Sequence, residues 1–308
     1  MKRDFTKILD ITGEECSHLL ERAHFMKQAR RTHKAYKPLQ DRTLAMIFEK
    51  ASTRTRISFE VAMKELGGHA MFLSQSDTQM GRGEPVRDTA RVLSRYVHAL
   101  MIRTFSQDTV ESFAGWASIP VINGLSDLYH PCQILADLFT VKEYKGKLRD
   151  QKIAWVGDGN NMANSWIEAS LLLGFSLVVA APPAYGPSEA LVKKAREKGV
   201  LTLVEDPIEA VRGADVVNTD VWISMGMEEE KAARQKAFAS FRVDGELMKA
   251  AKPNAIVLHC LPAHRGEEIT DEVFEHFQET IFTQAENRLH SQKALLEWLM
   301  GEEIHGYY

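Results

Sequence analysis

Hydroxyl and guanidinium groups crowd together in Ser52-Thr53-Arg54-Thr55-Arg56. Such groups present donors with the geometry of a phosphate. The apolar run Leu44-Ala45-Met46-Ile47-Phe48 precedes them, and Phe59, Ala62, Met63 and Leu66 follow at helical spacing. The stretch is therefore a strand-to-helix turn, where the first amides lack acceptors and the helix dipole is positive. It predicts an oxyanion pocket, with simple N-capping by Ser52 as the alternative that the local pattern leaves open. Arg56, one residue further into the helix, is expected to brace the turn. Further along stand Arg103-Thr104 and His130-Pro131-Cys132-Gln133, suited with the first stretch to a phosphate and a polarised carbonyl. Asn160, Asn161, Asp220, Ser224 and Cys260 form a second set. Amide donors for a carboxylate and Asp220 for an ammonium would hold a zwitterion. No nucleophile–base dyad or metal cage is evident, so the chemistry expected is direct group transfer by positioning and oxyanion stabilisation. His259, Cys260 and His264 raise the question of a metal. A fourth ligand is missing and phosphate donors lie nearby, so neither metal nor cofactor is expected.

The elements that must position these residues alternate. Thr12 and Glu15 make a capping box for a helix reaching about Arg31. Short apolar runs at 44–48, 70–73, 100–103 and 120–123 are separated by helical stretches, including 86–97 behind Pro85, 108–116, and 131–144. A second alternating series follows 145–151. Its strands are 153–156, 177–181, 201–204, 216–218, 256–259 and 281–284, and its helices include 162–173, 188–198, 230–240, 246–251 and 286–300. The fold class predicted is α/β, with two domains, each a parallel sheet flanked by helices. Ligands of such sheets bind beyond the carboxyl ends of the strands, and the chemistry-bearing residues cluster there, which favours the phosphate reading. The active site is expected in the cleft between domains. The boundaries expected are 1–145, 146–285, and a C-terminal helix, 286–308, packing back on the first domain. The polar loop 74–84 reads as a lid or subunit contact.

Gly157-Asp158-Gly159 after strand 153–156 resembles half of a dinucleotide fingerprint. Met162 replaces the third glycine, Asp158 would repel a pyrophosphate, and no acidic residue ends strand 177–181. Nucleotide binding is not expected. The chain of 308 residues is 44% hydrophobic and 26% charged, with 38 basic and 42 acidic residues, a formal charge of −4. That balance offers no global field for nucleic acid or anionic membrane. Three scattered cysteines suit a reducing cytosol, and neither a signal peptide nor an apolar run long enough to span a bilayer is found. A cytoplasmic enzyme is expected.

Ser-Thr-Arg-Thr-Arg, His130-Pro131-x-Gln133, Asp220-Val-Trp-x-Ser-Met-Gly and His259-Cys-Leu-Pro together resemble the ornithine carbamoyltransferases. The resemblance spans nearly the whole chain. The first two signatures are common to all transcarbamylases, and the last two point to ornithine. The resemblance implies transfer of a carbamoyl group from carbamoyl phosphate to L-ornithine, giving L-citrulline and phosphate. It implies that Ser52, Thr53, Arg54, Thr55 and Arg103 hold the phosphate, and that Gln79 reaches carbamoyl phosphate across a subunit interface. Arg103, Thr55 and His130 would polarise the carbonyl, Gln133 would meet the carbamoyl amide, and Arg288 would close on the ligand. Asn161, Asp220, Ser224 and Met225 would bind ornithine, with Cys260 and Leu261 where amine meets carbonyl. A trimeric unit, sometimes assembled further, and a cis Leu261–Pro262 bond are also implied. The rival readings are a sister transcarbamylase acting on putrescine or acetylornithine, an NAD(P)-dependent oxidoreductase, and a non-catalytic amino-acid-binding protein.

Overall fold

The computed structural model describes residues 2–74, 78–223 and 228–301. They divide into two compact units, one drawn from Met1–Phe139 and Asn287–Tyr308, the other from Thr140–Glu286.

In the first unit, helix α1 (Gly13–Arg31) starts at the capping box: Thr12 Oγ1 accepts from Glu15 N–H, and Glu15 Oε2 accepts from Thr12 N–H. The chain then alternates through β1 (Thr43–Phe48), α2 (Thr53–Glu65), β2 (His69–Ser74), α3 (Val86–Leu93), β3 (Ala99–Arg103), α4 (Gln107–Trp116), β4 (Val121–Leu125) and α5 (Pro131–Lys145). The four strands are all parallel, in the order β2-β1-β3-β4. One sheet face buries Ala45, Ile47, Leu100 and Ile102 against Ala90, Val110 and Phe113. Cover on both faces makes β1, β3 and β4 largely apolar, buried runs, which is why they were legible, whereas the edge strand β2 is partly exposed along its length. Helix α3 ends about four residues earlier than the periodicity predicts, with Ser94 as its C-cap. Gly67, at φ +90°, turns the chain out of α2 into the edge strand.

The second unit continues with β5 (Lys152–Val156), α6 (Asn161–Leu173), β6 (Ser176–Ala180), α7 (Glu189–Glu197), β7 (Leu201–Val204), α8 (Pro207–Val211), β8 (Val216–Thr219), α9 (Lys231–Phe238), α10 (Gly245–Met248), β9 (Ile256–His259), α11 (Asp271–His276) and α12 (Gln278–Met300). Its five strands are parallel in the order β7-β6-β5-β8-β9. Ala154, Val156, Val217 and Val257 pack on one face against Phe238, Phe241, Phe274 and Ile281.

The strand expected at 281–284 is helical, part of α12. Its β-branched and aromatic residues favour a strand in isolation. The burial follows a helix instead: Ile281, Gln284 and Arg288 are buried while Phe282 is 53% exposed. Gln284 Oε1 also accepts from His259 N–H at 2.9 Å, a contact that fixes this turn against the end of β9. Helices α5 and α12 both run through the division between units.

Candidate functional site

The strand order marks a candidate crevice in each unit. In the first sheet the order reverses between β1 and β3, and in the second between β5 and β8. Loops leaving such a switch point diverge and open a crevice at the carboxyl ends. Ser52–Thr55 leaves β1, and Arg103 ends β3, in register with Phe48. Gly157–Asn161 leaves β5, and Asp220 leaves β8.

In the first unit Ser52 is the N-cap of α2, its Oγ accepting from Thr55 N–H at 3.3 Å. Capping does not use up the turn, because the first-turn amides of Thr53 and Arg54 have no intrahelical acceptors. Thr55 is buried, and its Oγ1 accepts from Arg103 Nη1 at 3.4 Å and from Arg288 Nη2 at 3.1 Å. Arg288 Nη1 donates to Gln133 Oε1 at 2.7 Å, and Gln133 Nε2 donates to Asp137 Oδ1 at 2.8 Å. Gln292, oriented so that both amide atoms are satisfied, accepts from Arg288 Nε and Nη2 at 3.1 Å each. Two like charges thus converge on one neutral hydroxyl, an arrangement that a bound anion relieves. Arg54 is exposed at the lip of the turn. His130 is buried, and its pKa lies well below the usual imidazole value, first because of burial and then because of Arg288, Arg103 and Arg54. It is neutral near pH 7 and has a ring nitrogen able to donate. Burial, reinforced by Arg103, also pushes the Lys50 ammonium pKa down. Lys50 lies 3.9 Å from the centre of the Phe105 ring. Sequence reasoning passed over this residue, although it stands two positions before Ser52.

Arg56 turns away from this cluster. It pairs with Glu60 at 2.9 Å and stacks over Phe72 at 3.9 Å. Gln79 is exposed and starts a short 3₁₀ segment, Gln79–Arg82.

In the second unit Asp220 is buried and is the hub. It accepts from Asn160 Nδ2 at 2.9 Å, from Cys260 Sγ at 3.0 Å and from its neighbour Val221 N–H at 2.8 Å. Asn160 is also the N-cap of α6, its Oδ1 accepting from Met162 and Ala163 N–H. Asn161, the first residue of α6, is half-buried beside it. Leu261 has φ +61°, and the Leu261–Pro262 bond is cis. Ser224 and Met225 lie outside the described residues.

The glycine turn after β5 does not make an open phosphate cradle. A Cβ on Gly159 would sit 2.2 Å from the backbone of Gly186 and Pro187, and Gly159 N–H donates to Tyr185 O at 2.8 Å. The close approach that glycine permits is to the chain itself. Asp158 is neutralised by Arg234, whose Nη1 donates to its Oδ2 at 3.0 Å, both side chains being buried. Burial outweighs this partner and pushes the Asp158 pKa up to about 6. Arg234 lies on α9 and also stacks on Tyr185 at 4.7 Å. Nothing in the sequence spacing pairs it with Asp158, and only the fold brings the two together.

Comparison with known proteins assigns a family domain to each part of the chain. Residues 3–143 match the carbamoyl-P binding domain of the aspartate/ornithine carbamoyltransferases, and residues 149–299 match the Asp/Orn binding domain. The chain belongs to this family. Among its relatives is the ornithine carbamoyltransferase of Syntrophotalea carbinolica, 55% identical over 97% of this chain and 100% of that one. That of Archaeoglobus fulgidus is 54% identical over 97% of each. The solved ornithine carbamoyltransferase from Pyrococcus furiosus superposes with a TM-score of 0.92 at 49% identity, covering 99% of this chain and 98% of that one. The anabolic enzyme from Campylobacter jejuni gives 0.91 at 46% identity, covering 97% and 99%. Among the described residues no helix is long and apolar enough to cross a membrane.

Proposed function

We propose that the chain transfers the carbamoyl group of carbamoyl phosphate to the δ-amine of L-ornithine, giving L-citrulline and phosphate in arginine metabolism. The observation that carries this reading is the convergence of Arg103 and Arg288 on Thr55 beside the Gln133 carboxamide and a neutral His130. It supplies cations for a phosphate and directed hydrogen-bonding groups for a carbamoyl amide and its oxygen. The first-turn amides of α2 with Ser52, Thr53, Arg54 and Gln79 take the phosphate. Arg103, His130 and Thr55 face the carbonyl oxygen. Asp220 takes an ammonium, with Asn161, Ser224 and Met225 at the amino-acid end of ornithine and Cys260 and Leu261 beside the attacking amine. Residues 1–145 serve as the carbamoyl phosphate domain and 146–285 as the ornithine domain, and the helix entering 286–308 returns Arg288 to the first.

The neutral δ-amine attacks the carbonyl carbon. A nitrogen–carbon bond forms, negative charge builds on the carbonyl oxygen, and Arg103 and the His130 N–H stabilise it. The carbon–oxygen bond to phosphate then breaks, and the departing phosphate carries off one amine proton. Every step is served by positioning and fixed charge, and no covalent enzyme intermediate is required. Identities of 54–55% to proteins named ornithine carbamoyltransferase support ornithine over putrescine or acetylornithine as acceptor. The occupied glycine turn argues against a nicotinamide cofactor.

The active form is a cytoplasmic homotrimer or a multiple of trimers. Edge strand β2 exposes Met71 at 50% and Phe72 at 37%, and Ile57 on the adjoining α2 is 53% exposed. An apolar edge beside the phosphate turn suits a subunit contact. The test is citrulline formation from carbamoyl phosphate offered with ornithine, acetylornithine, putrescine and aspartate. Turnover selective for ornithine is expected, and preference for another amine would overturn the assignment.

A further inference from the structure

The loop after β9 carries a second polar cluster that the carbamoyl-transfer reading does not use. One ring nitrogen of His264 and one oxygen from each of Glu267 and Glu268 lie within 4.8 Å of one another. The two carboxylates are held alike. Glu268 is fully buried, and its Oε1 accepts from His264 N–H at 2.6 Å and from His259 Nε2 at 3.0 Å. The His259 tautomer is set by Leu261 N–H, which donates to Nδ1 at 2.9 Å, so Nε2 carries the hydrogen. Among the described residues, Glu268 Oε2 is buried without a hydrogen-bond donor. Glu267 Oε1 accepts from Gln235 Nε2 at 3.1 Å, and its Oε2 is likewise buried without a donor. Each carboxylate thus has one oxygen oriented by the protein and the other left over, the division of labour of a metal ligand with its supporting partner.

His264 Nδ1 stands 3.7 Å from Glu267 Oε2. That is too long for a hydrogen bond. It is close to the roughly 3.4 Å that separates two ligands each about 2.1 Å from a tetrahedral zinc. The cation of the turn, Arg265, is turned elsewhere. It pairs with Asp271 and Glu275 and stacks over Phe274 at 4.1 Å. His264 is half-exposed, which gives an ion a way in and leaves a coordination position for water.

We infer that His264, Glu267 and Glu268 form a binding site for one divalent cation of the zinc type. One imidazole with two carboxylates suits zinc, cobalt or manganese better than the all-oxygen ions magnesium and calcium. The sequence expectation of no metal considered His264 with His259 and Cys260. The fold separates these roles, giving His259 to Glu268 as a positioning partner and His264 to the ion. Because His259 links Glu268 to the amide of Leu261, an ion here clamps the loop that carries Cys260.

A second triad, Asp220, His259 and Cys260, has the same compactness and contains a thiol, so the test must separate the two. The metal-free full chain is titrated with Co²⁺ and followed by absorbance. The expected result is visible d–d absorbance from a single equivalent, with no thiolate-to-cobalt charge-transfer band and no change in Cys260→Ser. In His264→Ala and in Glu267→Gln the affinity is expected to fall at least about tenfold. Far-UV circular dichroism of the metal-free variants verifies their folding, and both replaced side chains reach the surface. The inference is overturned by absence of cobalt binding, by a charge-transfer band lost in Cys260→Ser, or by affinity unchanged in both variants.

Discussion

Replacing Thr55 with valine tests the geometry of the first half-site. Valine matches threonine in volume but lacks the hydroxyl, and the site is 1% exposed, so the change removes one buried hydrogen-bond acceptor. That oxygen accepts from Arg288 at 3.1 Å and from Arg103 at 3.4 Å. The second distance is near the outer limit of a hydrogen bond, so the first carries most of the effect. A hydrogen bond to a charged group is worth about 1.5–3 kcal/mol. Spent on holding both guanidiniums where a phosphoester and a carbonyl oxygen must sit, this predicts kcat/KM for carbamoyl phosphate lower by roughly 10- to 150-fold. Thr55→Ser keeps the oxygen and is expected to retain most activity. Steady-state citrulline formation with carbamoyl phosphate varied at saturating ornithine measures both. A Thr55→Val enzyme within about twofold of the parent would show that the arginines need no such anchor and that their convergence on Thr55 does not serve the reaction.

Three other perturbations follow from the same structure. Arg54→Gly removes an exposed cation from the phosphate turn and should abolish turnover with the thermal unfolding temperature nearly unchanged; citrulline production at the parent rate would remove Arg54 from the site. Cys260→Ser keeps a donor to Asp220 but alters the group beside the amine, so KM for ornithine should rise roughly tenfold, about 1.4 kcal/mol, while carbamoyl phosphate binding stays constant. Equal shifts for both substrates would reject that placement. The pKa of His290, buried near Lys293, Lys27 and Arg30, is pushed down to about 3. Below the unfolded-state pKa of about 6.5 the unfolded chain takes up a proton that the folded chain refuses. This stabilising contribution is complete above about pH 6.5 and is lost as pH falls toward 3. At pH 5 the loss is about 2 kcal/mol, and His290→Gln should flatten the decline in urea-unfolding stability between pH 7 and pH 5 by that amount. An unaltered decline would mean that His290 is not the titrating group.

The sequence was most informative where local and global requirements coincide. Ser52 is a good N-cap, β1 is continuously apolar because both faces are covered, and Gly67 stops α2, so the strand-to-helix turn could be placed before any contact was known. The same holds for Asp220, which leaves a strand at a switch point. Legibility failed where a residue's meaning depends on a distant partner. Residues 281–284 have strand-like composition, but Gln284 meets β9 and Ile281 meets the core only in a helix. Asn160 and Asn161 are chemically equal in the sequence; the structure shows that Asn160 is the residue tied to Asp220. Asp158 looked like an unbalanced charge in a ligand loop until Arg234 arrived from 76 residues away. Glu268 carried no signal, because its burial and the pairing of its Oε1 with His259 arise only in the fold.

The donation from Arg288 to Thr55 spans 233 positions of sequence. The first compact unit is therefore interrupted: its opening segment ends at Phe139 and resumes at Asn287. On a ribosome adding about 5–20 residues per second, roughly 7 to 30 s pass between those two points. During that interval β1, α2 and β3 can form, but the guanidinium that closes on Thr55 has not been made. The contact between Arg288 and Thr55 is thus completed last, after the whole of the second unit has been synthesised. A chain released early for want of its final helix would carry the recognisable turn and no means of using it.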